Sequence, residues 1–85
     1  MERGPILEKI KAHIISEYID SSDTSDFNLD SPLVSSGVID SINILQVVDF
    51  LEDNFDLEFE PHEVDQSNLN NINLMADFVI RKLTA

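Results

Sequence analysis

Cysteine is absent from this 85-residue chain, which excludes a disulfide, a thiolate zinc site and a thiol nucleophile of the protein's own. Any sulfur chemistry must be brought in from outside. Glycine is scarce, with only Gly4 and Gly37, so no glycine-rich loop can cradle a nucleotide phosphate. Basic residues are few and confined to the ends: Arg3, Lys9, Lys11, Arg81 and Lys82 are all of them, and residues 12 to 80 contain none. Against 17 acidic residues this leaves a formal net charge of -12, a surface that repels a phosphate backbone and excludes nucleic acid as a direct ligand. The same field steers in and orients a partner rich in Lys and Arg. No apolar run approaches the roughly 18 residues of a membrane span, and MERGPILEKI lacks the continuous apolar stretch of a secretory leader. The expectation is a soluble, monomeric protein with no membrane partner and a cytoplasmic address.

A length of 85 residues fits one domain, residues 1–85, with a thin core that depends on well-matched helices. In PILEKIKAHIISEYID, Leu7, Ile10, Ile14 and Tyr18 share one stripe with Ile6 beside it, which predicts a helix over 5–19 that opens with Pro5 in its first turn. A loop of about 20 residues follows, rich in Ser and Asp and closed by Pro32 and Gly37. So long a loop in a small domain signals a missed element or a functional segment. Phe27, Leu29, Leu33, Val34, Val38 and Ile39 are its expected anchors. From Ser41 to Phe55 the helical period returns, with Ile44, Val47, Val48, Leu51 and Phe55 on the core face. Ser41, Leu45, Asp49 and Glu52 fall on the opposite flank with Ile42 and Asp53 beside them. FDLEF reads as an extended connector that buries Leu57 and Phe59, PHEVD as one short helical turn from Pro61, and QSNLNN as a polar linker. The last helix gathers Ile72, Met75, Ala76, Val79 and Leu83, with Asn71 or Asn73 as N-cap and Arg81 and Lys82 near its C-terminal end. The fold class is all-α: three main helices and one short turn in a small bundle with a long first loop.

Catalytic apparatus is missing from the pattern. His13 and His62 are far apart and belong to no metal-ligating spacing. The acidic loop DSSDTSDFNLDS lacks the central Gly and the final Glu of a calcium-binding EF-hand loop. No Gly-flanked nucleophile elbow surrounds Ser41. What remains is GVIDSINIL, residues 37 to 45, where two cap-competent residues stand together before an apolar helix. If Asp40 takes the N-cap, Ser41 sits in the first turn with its hydroxyl free, at a helix end whose amides and dipole tolerate a phosphate.

At Gly37-Val38-Ile39-Asp40-Ser41-Ile42, the helix ending LEDNF, the FDLEF connector, the PHEVD turn and the final amphipathic helix, the chain resembles the acyl and peptidyl carrier protein family. The resemblance implies a four-helix bundle of acyl-carrier-protein type. It also implies that Ser41, with Asp40 contributing beside it, receives 4'-phosphopantetheine from coenzyme A through a separate magnesium-dependent phosphopantetheinyl transferase. The terminal thiol of that arm then carries acyl, aminoacyl or peptidyl groups as thioesters, so a chain without cysteine can still take part in thioester chemistry. Ile42, Leu45, Asp49, Glu52 and Asp53 are the implied docking surface for loading and downstream biosynthetic enzymes that present basic surfaces. The expected role is a stand-alone, non-enzymatic carrier with no metal site. Ile42 stands where the family has leucine, Asn43 and Gln46 stand where fatty-acid carriers often have carboxylates, and Asp49 occupies a commonly apolar position. These departures point toward a specialised pathway. The alternative is an unmodified helical interaction or regulatory module in which Ser41 only caps its helix.

Overall fold

The computed structural model describes residues 2 to 19 and 28 to 84. Among the described residues there are four helices, α1 (Arg3–Tyr18), α2 (Asn43–Phe55), α3 (Gln66–Leu69) and α4 (Ile72–Thr84), with a 3-10 turn at Pro61–Glu63 between α2 and α3, and no strand. Phe27 and the Asp-rich stretch around it lie outside those residues.

Helix α1 starts two residues before the expected Pro5, which is tolerated because first-turn amides have no intrahelical acceptor in any case. Its most deeply buried line is Ile6, Ile10 and Ile14, with Leu7 and Tyr18 only half-buried beside it. Helix α4 buries Ile72, Met75, Ala76, Phe78 and Val79 and packs directly on α1. Helix α2 adds Val47, Val48 and Leu51 to the same core. Each such side chain contributes roughly 1.5–3 kcal/mol on burial, and in so small a domain few can be spared.

A polar network reinforces the α1–α4 contact. Arg3 pairs with Asp77 and donates to Asn73 Oδ1 at 2.9 Å. Asn73 passes the link on to the first loop, donating from Nδ2 to Asp30 at 2.7 Å and from its amide to the Leu29 carbonyl at 3.2 Å.

Three sequence expectations need correction. QSNLNN is not a linker: Asp65 accepts the Ser67 amide at 3.1 Å and its hydroxyl at 2.6 Å, which starts the four-residue helix α3 and drives Leu69 into the core. So short a helix shows no hydrophobic period, and only the Asp65 cap announced it. Val38 is not a loop anchor, because Gly37 turns at φ +86 and Ile39 takes the buried position, leaving Val38 37% exposed. Regular helix α2 begins at Asn43, two residues after Ser41. The remaining described anchors behave as expected, with Leu33 and Ile39 fully buried and Leu29 and Val34 half-buried.

The connector is shorter than FDLEF, because Phe55 ends α2 and Asp56 turns left-handed at φ 54, leaving Leu57 to Phe59; Phe59 stacks on Phe78 with ring centroids 4.3 Å apart. Its backbone is satisfied from α2 instead of from a strand: Glu52 Oε2 accepts the Phe59 amide at 2.7 Å. Asn71 is the cap of α4, its Oδ1 accepting the Leu74 amide at 2.7 Å. His13 lies flat on Phe50 at 3.7 Å between centroids and joins α1 to α2. Desolvation there holds the imidazole below its ordinary value, opposed by the nearby Glu17 carboxylate.

Because the fold lowers the proton affinity of His13, the unfolded chain binds that proton more readily. Its stacked, neutral contribution is complete above about pH 6.5 and is lost as pH falls through the folded value. Wild type should therefore lose stability relative to His13→Phe between pH 7.5 and pH 5.5 in paired urea titrations. A constant difference between the two proteins across that window would show that the ring is not desolvated.

Candidate functional site

The segment that carries GVIDSI is fixed by two apolar plugs and a set of short backbone bonds. Leu33 and Ile39 are each 1% exposed, and the Ile39 amide donates to the Leu33 carbonyl at 3.0 Å. Gly37 closes the intervening turn on the Val34 carbonyl at 3.1 Å, at a positive φ that favours glycine. The chain then reaches Asp40. Its Oδ1 accepts the amides of Ile42 at 3.0 Å and Asn43 at 2.7 Å, while its carbonyl accepts the Ile44 amide at 2.9 Å. Those are the bonds of a helix N-cap. Although regular helix begins at Asn43, the capping residue is Asp40.

Ser41 is thereby released from the capping role and lies exposed in the turn that leads into α2. Ile42 is 72% exposed, Leu45 58% and Val38 37%. These three are the exposed large hydrophobic residues among those described, and the first two flank the serine along the helix. Val38 joins them from the loop, a residue the sequence pattern assigned to the core. The signal that could have placed it outside is the tight Gly37 turn followed by a single buried residue.

Asp49 and Asp53 are exposed on the same flank, and neither has an ion-pair partner among the described residues. Glu52 differs. It is half-buried and committed to the connector through the Phe59 amide, so it acts first as a structural brace. Beyond it, Glu52, Asp53, Asp56 and Glu58 line an acidic surface hollow that continues the flank toward Lys82. Tyr18 closes the other side of the site, its hydroxyl 3.5 Å from both the Asn43 carbonyl and Gln46 Oε1. Desolvation raises its pKa, with the Glu17 and Asp40 carboxylates acting in the same direction, so it stays a neutral phenol.

The family model of the phosphopantetheine attachment site matches residues 12–79. The chain belongs to that family of acyl and peptidyl carrier proteins. A search of curated proteins finds no match. The family assignment makes this a carrier domain that binds covalent 4'-phosphopantetheine, and domains of this family are generally non-catalytic. The start of α2 fits such a group, offering an exposed hydroxyl beside apolar side chains at a helix end. Asp40 already occupies two of the amides there, so a phosphate ester at this end meets a carboxylate and fewer free donors.

Glu60, His62 and Glu63 bring ligand-type atoms within 4.8 Å of one another. Their arrangement already has a structural cause: Glu63 accepts the Glu60 amide at 2.9 Å and pairs with Lys82 Nζ at 2.7 Å. That hydrogen bond to Lys82 is the main reason its carboxyl is held below the usual range. A cation would have to displace the ammonium.

Splitting the acidic flank into brace and free charge has a measurable consequence. Glu52→Ala should cost about 1–2 kcal/mol, because it strands a half-buried amide, whereas Asp53→Ala should stay within about 0.5 kcal/mol of wild type. Urea unfolding of both variants tests this, and equal midpoints would show that the Glu52 bond contributes nothing.

Proposed function

We propose that Ser41 is the attachment point of the 4'-phosphopantetheine arm and that the α2 flank docks the enzymes that load and unload it. The observation that carries this reading is the division of labour at the helix start: Asp40 makes the capping bonds, and Ser41 is left exposed with no capping duty. Modification forms a bond from Ser41 Oγ to the phosphorus of coenzyme A's pantetheine phosphate. The nucleotide portion leaves, and the hydroxyl proton passes to a base of the transferase. Once attached, the arm supplies the thiol that holds cargo as a thioester. The chain's own part is to hold Oγ in the open and to present Val38, Ile42 and Leu45 as an apolar contact, with Asp49 and Asp53 around it as anionic guides. In this reading it is a non-enzymatic shuttle of the cytoplasm.

Cargo follows less directly from the site. Neutral Asn43 and Gln46 at the start of α2 favour partners other than those that read a fully acidic helix, and hence a specialised biosynthetic pathway. The rival in which Ser41 caps its own helix loses its premise, since Asp40 fills that place.

Incubation with coenzyme A, magnesium and a promiscuous phosphopantetheinyl transferase should add one phosphopantetheinyl group to wild type and none to Ser41→Ala by intact mass. An unmodified wild type, or equal labelling of the two, overturns the assignment.

The charge on the flank is read by rate. Asp49→Lys combined with Asp53→Lys should slow labelling roughly three- to tenfold at low ionic strength, with the gap narrowing as salt rises and helix content unchanged. Identical rates at low salt would mean that these carboxylates steer nothing.

A further inference from the structure

Three successive backbone amides of the loop ahead of Ser41 converge on one residue at the α3–α4 junction. The Leu33 amide donates to the Asn70 carbonyl at 2.6 Å, and the amides of Val34 and Ser35 donate to Asn70 Oδ1 at 3.0 and 2.9 Å. One side-chain oxygen thus uses both of its acceptor positions on the loop. Asn70 is itself held firmly, lying between Leu69 and Ile72, both fully buried, and directly before the α4 cap Asn71.

The clamp passes its register along the chain. Leu33, fixed through its amide, accepts the Ile39 amide at 3.0 Å, and Val34 accepts the Gly37 amide at 3.1 Å. Ile39 is buried immediately ahead of Asp40, which caps α2 and leaves Ser41 facing outward. A residue 29 positions further along the sequence than the serine therefore sets the base of the turn that presents it. We infer that Asn70 is the positioning residue for modification of Ser41, acting through the loop amides at 33 to 35. This rests on the reading of Ser41 as the attachment site.

The bonding pattern dictates the variants. Asn70 Nδ2 donates to no group among the described residues, so Oδ1 is the side chain's whole part in the clamp, beside the backbone carbonyl that holds Leu33 and that a substitution leaves in place. Asn70→Asp keeps that acceptor, and Asn70→Leu keeps the shape without it. Because the Ser35 end of the clamp is exposed, water can replace part of the lost bonding. The leucine variant should then fold while holding the loop more loosely.

The test is steady-state labelling of the full chain by a phosphopantetheinyl transferase with coenzyme A and magnesium, at a temperature where thermal melts show every variant folded. Asn70→Leu should lose roughly tenfold in kcat/KM, chiefly in kcat, because a misplaced hydroxyl is penalised in the transfer step, while Asn70→Asp should return to about twofold of wild type. Hydrogen exchange at Val34, Ser35 and Ile39 should quicken in the leucine variant alone, with α1 amides unchanged. A folded Asn70→Leu that labels at the wild-type rate overturns the inference by itself, as does an Asn70→Asp as slow as the leucine variant. A wild type that takes no label overturns the Ser41 reading and the inference together.

Discussion

The hydrogen bonds from the amides of Ile42 and Asn43 to the Asp40 carboxylate are the constraint on which the arrangement of the site depends. A helix that begins in a loop must have its first amides satisfied, and an N-cap side chain that does so contributes about 1 kcal/mol. In GVIDSI two neighbours could have met that need. Asp40 meets it, and the consequence falls on Ser41, whose hydroxyl is freed from local bonding at the one place where α2 emerges from the loop. On the proposed reading, capping and modification are the work of adjacent residues, so a group added at position 41 would leave the Asp40 cap intact.

Holding that start in place demands more than the cap, because the loop before it has little regular structure of its own. Two plugs, Leu33 and Ile39, sink into the space among α1, α2 and α4. The Asn-rich junction NLNNIN then supplies the polar complement: Asn70 takes the loop amides, Asn71 caps α4, and Asn73 ties Asp30 to Arg3. A stretch that looks like filler is the polar seam of the bundle. Neutral amides suit this place, since in a chain of net charge -12 carboxylates at all three positions would add to the self-repulsion already present.

Four of the five scarce cations, all but Lys11, are engaged internally. Arg3 is engaged with Asp77, Lys9 lies over Phe55, Lys82 pairs with Glu63, and Arg81 and Lys82 both lie over Phe78. Asp49 and Asp53 are left without cationic partners among the described residues. A negative field therefore surrounds the exposed Val38, Ile42 and Leu45. An apolar contact ringed by one sign of charge suits transient docking, in which the field governs approach and register while the small apolar patch limits residence.

The periodicity of apolar residues was enough to determine α1, α2 and α4, because each is long enough for a 3.6-residue period to repeat several times. GVIDSI, read with the elements after it, likewise carried the family, whereas the choice of Asp40 over Ser41 as the cap was left to the folded chain. Other features only the folded chain decided. Helix α3 is a single turn with one apolar residue, too short to show a period, and it exists because Asp65 caps it and the core has room for Leu69. Val38 faces outward because Gly37 and Ile39 fix the turn around it. Glu52 is a brace because the connector folds back within reach of its carboxylate. Asn70 serves the serine's loop across 36 residues of sequence from Val34. Local pattern reports which way a side chain points within its own element; which distant backbone group it meets is set only when the elements pack.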